Sequence, residues 1–147
     1  MHNYSKLLYL QIFFSFLYLC AVCVLQFVSR YNGKNVTGVL GSSVNFTWAF
    51  SGGIVSVAQW GTKKDGVLKF QHLLVTVRKD TTSSITTNPP YNGRVSGLWD
   101  GSSPGQATFT LKAIQKADER SYICVLGPAS IFELPVRDLV QFLVVGK

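Results

Sequence analysis

From Gly41 onward, apolar and polar residues alternate in short runs separated by Gly, Pro, Asn and Ser. In Val44-Asn45-Phe46-Thr47-Trp48 the apolar side chains share one side and the polar ones the other, the period of a half-buried strand. Ala107 to Leu111 alternates in the same way, and a further run places Tyr122, Cys124 and Leu126 on one face with Ile123 and Val125 on the other. Turn signals recur between them: Tyr31-Asn32-Gly33-Lys34, Gly41-Ser42-Ser43, Gly52-Gly53, Lys64-Asp65-Gly66 and the Gly/Pro/Ser stretch within Trp99 to Gly105. Many short strands spaced by such turns predict an all-β sandwich. Further strands are predicted at Val24–Ser29, Val36–Val39, Ile54–Lys63, Val67–Val77 (one long or two short), Tyr91–Gly97 and Leu139–Val145. Lys79–Asn92, rich in Thr and Ser, is predicted as a loop over a sheet edge, and Gly127–Asp138 as another.

The start of the chain follows a different pattern. Leu7 to Val28 is almost wholly apolar and is preceded by His2 and Lys6, the layout of a secretory signal. Ala21 and Cys23 suit the small-residue positions before cleavage, so residues 1–23 are assigned to a signal peptide and 24–147 to one domain. A retained membrane anchor is the alternative. Against it, Arg30 and Lys34 beyond the apolar run outnumber Lys6 before it, and Lys/Arg-rich flanks stay cytoplasmic. At 147 residues the chain has room for a leader and one small core.

Several features together resemble a variable-type (V-set) immunoglobulin domain. Lys116-Ala117-Asp118-Glu119-Arg120-Ser121-Tyr122-Ile123-Cys124 resembles the E–F turn and F strand, with Tyr122 in the place of the tyrosine corner. The run ending at Trp48 resembles strand B, and Trp60 stands twelve residues later, where the buried tryptophan of strand C belongs. The Val67–Val77 run supplies C′ and C″, which favours the variable type, and Tyr91–Gly97 resembles strand D. The resemblance covers Val24 to Val145 and implies an ion pair between Arg94 of strand D and Asp118 of the E–F turn.

One position departs from the family: Trp48 stands where strand B carries its cysteine, so the B–F disulfide is absent. With the leader removed, Cys124 is the one remaining cysteine. A bridge joining these positions would close a loop of 76 residues, a constraint worth about 4 kcal/mol. Burying a tryptophan contributes a gross stabilisation of the same order, about 4–6 kcal/mol. Trp48 is therefore expected in the core near Cys124 and Trp60, with Cys124 acting as a small hydrophobe. An exposed, pairing or reactive thiol is the rival reading.

Charge and chemistry add little that is catalytic. The formal net charge is +7, or +6 once Lys6 leaves with the leader. The basic residues are dispersed, unlike a nucleic-acid footprint. His72 is the one histidine outside the leader, in an apolar run, and no metal spacing, phosphate loop or supported nucleophile set occurs. The chain is read as a non-enzyme with no cofactor, no metal, no nucleic-acid partner and no small-molecule substrate. Two sequons, Asn35-Val36-Thr37 and Asn45-Phe46-Thr47, make Asn35 and Asn45 candidate glycan acceptors. Asn45 falls on the outward side of strand B, so sugar there leaves the opposite G-F-C-C′ sheet open.

The V-set resemblance implies a protein partner docking on the G-F-C-C′ face. The candidates are Val55, Val57 and Gln59 from C, Ile123 and Val125 from F, Phe70 from C′, and Phe132 from the apolar loop after F. That loop, with Ile131, Phe132 and Leu134, either joins the interface or folds over the face. Phe46-Thr47-Trp48, Trp60-Gly61-Thr62-Lys63-Lys64-Asp65-Gly66 and Tyr91-Asn92-Gly93-Arg94-Val95-Ser96-Gly97 are similar to V-set-like ectodomains of cnidarian allorecognition receptors. That likeness implies an extracellular recognition or adhesion domain of a cell-surface receptor, meeting a like domain or another protein. A secreted single-domain immune-type binder or decoy is the alternative.

Overall fold

The computed structural model describes residues 11, 24–79 and 81–146. The leader assigned to residues 1–23 lies outside them except for Gln11. Among the described residues no helix is long and apolar enough to cross a membrane. The described residues form ten strands: β1 (Gln26–Phe27), β2 (Asn35–Val39), β3 (Val44–Ser51), β4 (Val55–Lys63), β5 (Phe70–Arg78), β6 (Thr81–Ile85), β7 (Val95–Leu98), β8 (Gly105–Leu111), β9 (Arg120–Pro128) and β10 (Val136–Val145). One sheet runs β1-β3-β8-β7 and the other β2-β10-β9-β4-β5-β6. All pairings are antiparallel except β2 with β10.

Alternation sets the facing of β3, β8 and β10, which lie inside their sheets. Phe46, Trp48 and Phe50 of β3 and Ala107, Phe109 and Leu111 of β8 point into the core from one sheet. Val140, Phe142 and Val144 meet them from β10. Aromatic rings fill the space between the layers: Trp60 stacks on Tyr122 (centroids 5.0 Å, planes 11° apart) and on Phe109 (5.7 Å, 10°). Gly38 of β2 belongs to this packing, since a Cβ there would sit 2.6 Å from the Phe142 ring.

Several elements differ from the sequence expectation, among them the span expected as a strand at Tyr91–Gly97, which is turn through Arg94 and strand only from Val95. Residues 81–85, assigned to a loop, form edge strand β6, pairing Val75 with Ile85 and Thr76 with Ser84. Threonine suits a strand, and an edge needs few apolar side chains. Strand β10 begins at Val136 and not at Leu139, which brings Asp138 inside the sheet opposite Cys124. In β4 a bulge at Ser56 lets Val55 pair with Pro128 while Val57 pairs with Gly127. The extra residue reverses facing at the start of the strand.

Candidate functional site

The inter-sheet centre is built around Trp48 of β3 and Asp138 of β10. Both are buried, and the indole Nε1 donates to Asp138 Oδ2 over 2.7 Å. The same carboxylate accepts from the backbone N–H of Tyr31 (2.7 Å) and of Asn32 (3.1 Å). Those residues form the turn by which the chain leaves β1 for the other sheet. Asn32 and Gly33 turn it through left-handed conformations (φ 49° and 74°), and Gly33 donates to the Leu139 carbonyl over 2.7 Å. The Tyr31 ring meets the Trp48 edge at 5.0 Å, and its hydroxyl accepts from the Thr47 backbone N–H. A charged acceptor with three donors forms short, strong hydrogen bonds. Cys124, paired with Asp138 across β9–β10, has no exposed surface. Burial, and then the Asp138 charge, push its thiol well above the usual range.

The lower corner joins the sheets a second time. Arg94, just before β7, forks onto Asp118: Nη2 donates to Oδ2 and Nη1 to Oδ1 at 3.3 Å. Asp118 ends the 3₁₀ turn Lys116–Asp118, is almost fully buried, and also accepts from the Gln115 N–H at 2.8 Å. The same arginine donates to the carbonyls of Pro90 (3.0 Å), Ala113 (3.0 Å) and Lys112 (3.2 Å). Tyr122 donates its hydroxyl to the Asp118 carbonyl over 3.0 Å. Burial and the neighbouring Tyr91 raise its pKa far above that of an ordinary phenol.

The outer face of the six-stranded sheet holds the proposed contact residues unevenly. Val57 and Gln59 are half-buried and face outward, Val57 covering Gly127. Phe70 lies over Gly61, where a Cβ would come within 2.8 Å of its ring. Val55 is a correction. The bulge at Ser56 turns it inward, and it is fully buried in the core. Ile123 and Val125 keep their outward phase but present almost no surface, 0% and 8%. They form the floor of the face and offer a partner little area. Phe132 projects from the β9–β10 hairpin, 92% exposed, with Ile131 and Leu134 exposed beside it. That hairpin does not cover the sheet. The exposed apolar surface comes instead from Leu73, Val39 and Val145, which the sequence reading did not select, with half-buried Leu139 and Leu143 between them.

Solved structures resemble this arrangement. Murine CRIg matches with a TM-score of 0.61 at 15% identity, over 83% of this chain and 97% of that one. A structure from work on cell-adhesive interactions of VGSC beta subunits matches at 0.59 and 16%, over 82% and 98%. The second Ig domain of the mouse polymeric immunoglobulin receptor matches at 0.54 and 16%, over 77% and 96%. The fold is immunoglobulin-like. No family model matches the chain, and no curated relative does.

This immunoglobulin-like sandwich has no B–F disulfide; Cys124 is free and buried. Both sequon asparagines are exposed on strands, on opposite sheets. Asn45 of β3 accepts from the Thr110 hydroxyl over 2.8 Å on the outer side of the four-stranded sheet. Asn35 of β2 pairs with Gln141, so it lies at the margin of the six-stranded sheet. Among the described residues no cluster of metal-binding side chains occurs.

Proposed function

We propose that residues 24–147 form a variable-type immunoglobulin domain that acts outside the cell as a recognition or adhesion module. It binds a protein through the outer face of the six-stranded sheet. The observation that carries this reading is the contrast between the two outer faces. The four-stranded sheet turns out Asn45, Thr47, Gln106, Thr108, Thr110 and Ser96, with exposed Leu98 the large apolar side chain on its β7 edge. The six-stranded sheet turns out Val57, Phe70, Leu73, Leu139, Leu143 and Val145, around Gln59 and Thr76. A contiguous apolar surface on one side of a sandwich marks an interaction site.

Charge narrows the partner. Arg78, opposite Val57, and Arg137, opposite Val125, lie on the same face. None of the outward strand positions in β2, β4, β5, β9 or β10 is Asp or Glu. Two copies meeting through this face would bring guanidinium groups together without a carboxylate to answer them. The pattern therefore favours a different protein with an acidic rim over a like domain. The likeness to cnidarian allorecognition ectodomains supports the like-domain reading instead, and one assay separates the two.

Beads carrying the domain, alone and mixed with beads carrying candidate partners, provide that assay. Binding is expected in the mixture, with Val57→Glu and Phe70→Glu each abolishing it while the folded spectrum is retained. Aggregation of the domain alone would support the like-domain reading. Binding unchanged by both substitutions would remove this face from consideration.

A further inference from the structure

The sandwich end opposite the β9–β10 hairpin carries a cleft of about 290 Å³ lined by His72, Asn88, Pro89, Pro90, Tyr91 and Arg120. Its walls are fixed from behind. The Pro90 carbonyl accepts from Arg94, the Tyr91 and Asn92 N–H groups donate to the Asn88 carbonyl, and the His72 N–H donates to Thr62 Oγ1 at 3.1 Å. Arg94 is already neutralised by Asp118. Arg120 is not: among the described residues no carboxylate lies within ion-pair reach of it. Its Nη2 donates to the Ala117 carbonyl at 2.7 Å, while its Nε is buried without an acceptor.

We propose that this cleft binds a carboxylate carried on a small apolar or aromatic body. Arg120 offers a carboxylate its positive charge and the guanidinium N–H groups not already given to Ala117. One uncompensated arginine balances a monoanion, whereas a phosphate dianion would leave excess negative charge in a cleft with no second unpaired arginine or lysine along its lining. The two prolines and the buried Tyr91 ring supply the apolar wall. The volume holds roughly ten groups of water size, the scale of benzoate. The site stands apart from the sheet face proposed above and does not depend on it.

The test is titration of the ¹⁵N-labelled chain with benzoate, its neutral analogue benzamide, and the acidic dipeptide acetyl-Phe-Glu-amide. Benzoate or the dipeptide should shift the Arg120 Nε–H and Tyr91 amide signals saturably, and benzamide should not. Tighter binding of the dipeptide identifies the carboxylate as a partner protein's side chain; tighter binding of benzoate identifies a free small acid. Arg120→Gln should weaken binding by about tenfold or more. Asn88→Asp, at an exposed position, should do likewise by placing a like charge at the mouth, and it keeps the test open where Arg120→Gln fails to fold. No saturable shift with either acid, equal response to benzamide, or unchanged affinity in Asn88→Asp would overturn the proposal.

Discussion

The indole nitrogen of Trp48 lies 2.7 Å from Asp138 Oδ2, joining the two sheets at the level where the V-set resemblance implies a sulfur bridge. Trp48 belongs to β3, at the position where the V-set resemblance implies a cysteine, and Asp138 sits directly across from Cys124. The missing covalent link is answered by two things at once. A large apolar ring fills the space, and a charge-assisted hydrogen bond crosses it. The carboxylate also anchors the turn from β1 to β2, so one side chain fixes both the spacing of the sheets and the crossover between them.

The lower corner should be as sensitive as the centre. Arg94→Met leaves the Asp118 carboxylate buried without its cation and frees the Pro90 and Ala113 carbonyls. Breaking a sheltered pair from one side costs about 3–5 kcal/mol. Urea unfolding should show a lowered midpoint, and Arg94→Lys should restore only part of it, since an ammonium cannot fork.

Cys124 should resist thiol reagents in the native protein at pH 8 and react only on unfolding. Its thiol and the Tyr122 phenol both have raised pKa values in the fold, with burial as the leading cause. Each therefore keeps its proton in the fold, whereas in the unfolded chain they ionise near about 8.5 and 10. Their contribution is complete below about pH 8.5 and declines as pH rises beyond it. Urea midpoints should fall between pH 8 and 10.5. In Cys124→Ala the decline above pH 8.5 should be shallower, by about 1.4 kcal/mol per pH unit.

Gly61 is required by close approach rather than by its torsion. A Cβ there would stand 2.2 Å from the His72 carbonyl oxygen and 2.8 Å from the Phe70 ring. Gly61→Ala should destabilise by about 1–3 kcal/mol, as overpacking does. It should also weaken partner binding, because Phe70 must move. Unaltered unfolding and binding would show that the two strands separate freely at this point.

Reversing Arg78 or Arg137 to Glu should act mainly on the association rate with an acidic partner, slowing it by about tenfold at low salt. The effect should shrink near 1 M salt, where screening acts over about 3 Å. Stopped-flow or surface-binding kinetics at two salt concentrations would read both. Faster association of the reversed variants would indicate a basic partner.

Alternation made much of this legible. Phe46-Thr47-Trp48 could bury its aromatics on one side only, and the spacing to Trp60 and Tyr122 placed the rest of the ring cluster. The loss came where period two fails. Nothing around Ser56 announces an inserted residue, so parity put Val55 on the wrong face. A polar edge strand such as β6 reads like a loop, because solvent and not the core receives its side chains. Asp138 was invisible as a clamp, since an aspartate after a proline-containing turn reads as loop chemistry until β10 is seen to start before it. The floor residues Ile123 and Val125 face outward by pattern, but their burial depends on neighbours from other strands.

A double-mutant cycle with Trp48→Phe and Asp138→Asn tests the inter-sheet clamp most directly, with stabilities taken from urea unfolding. Trp48→Phe keeps an aromatic ring but removes the donor, and Asp138→Asn keeps the shape but removes the charge. A charge-assisted bond of this kind predicts a coupling of about 1.5–3 kcal/mol between the two positions. Additive losses, with coupling near zero, would contradict the clamp and leave ring burial alone to hold the sheets together.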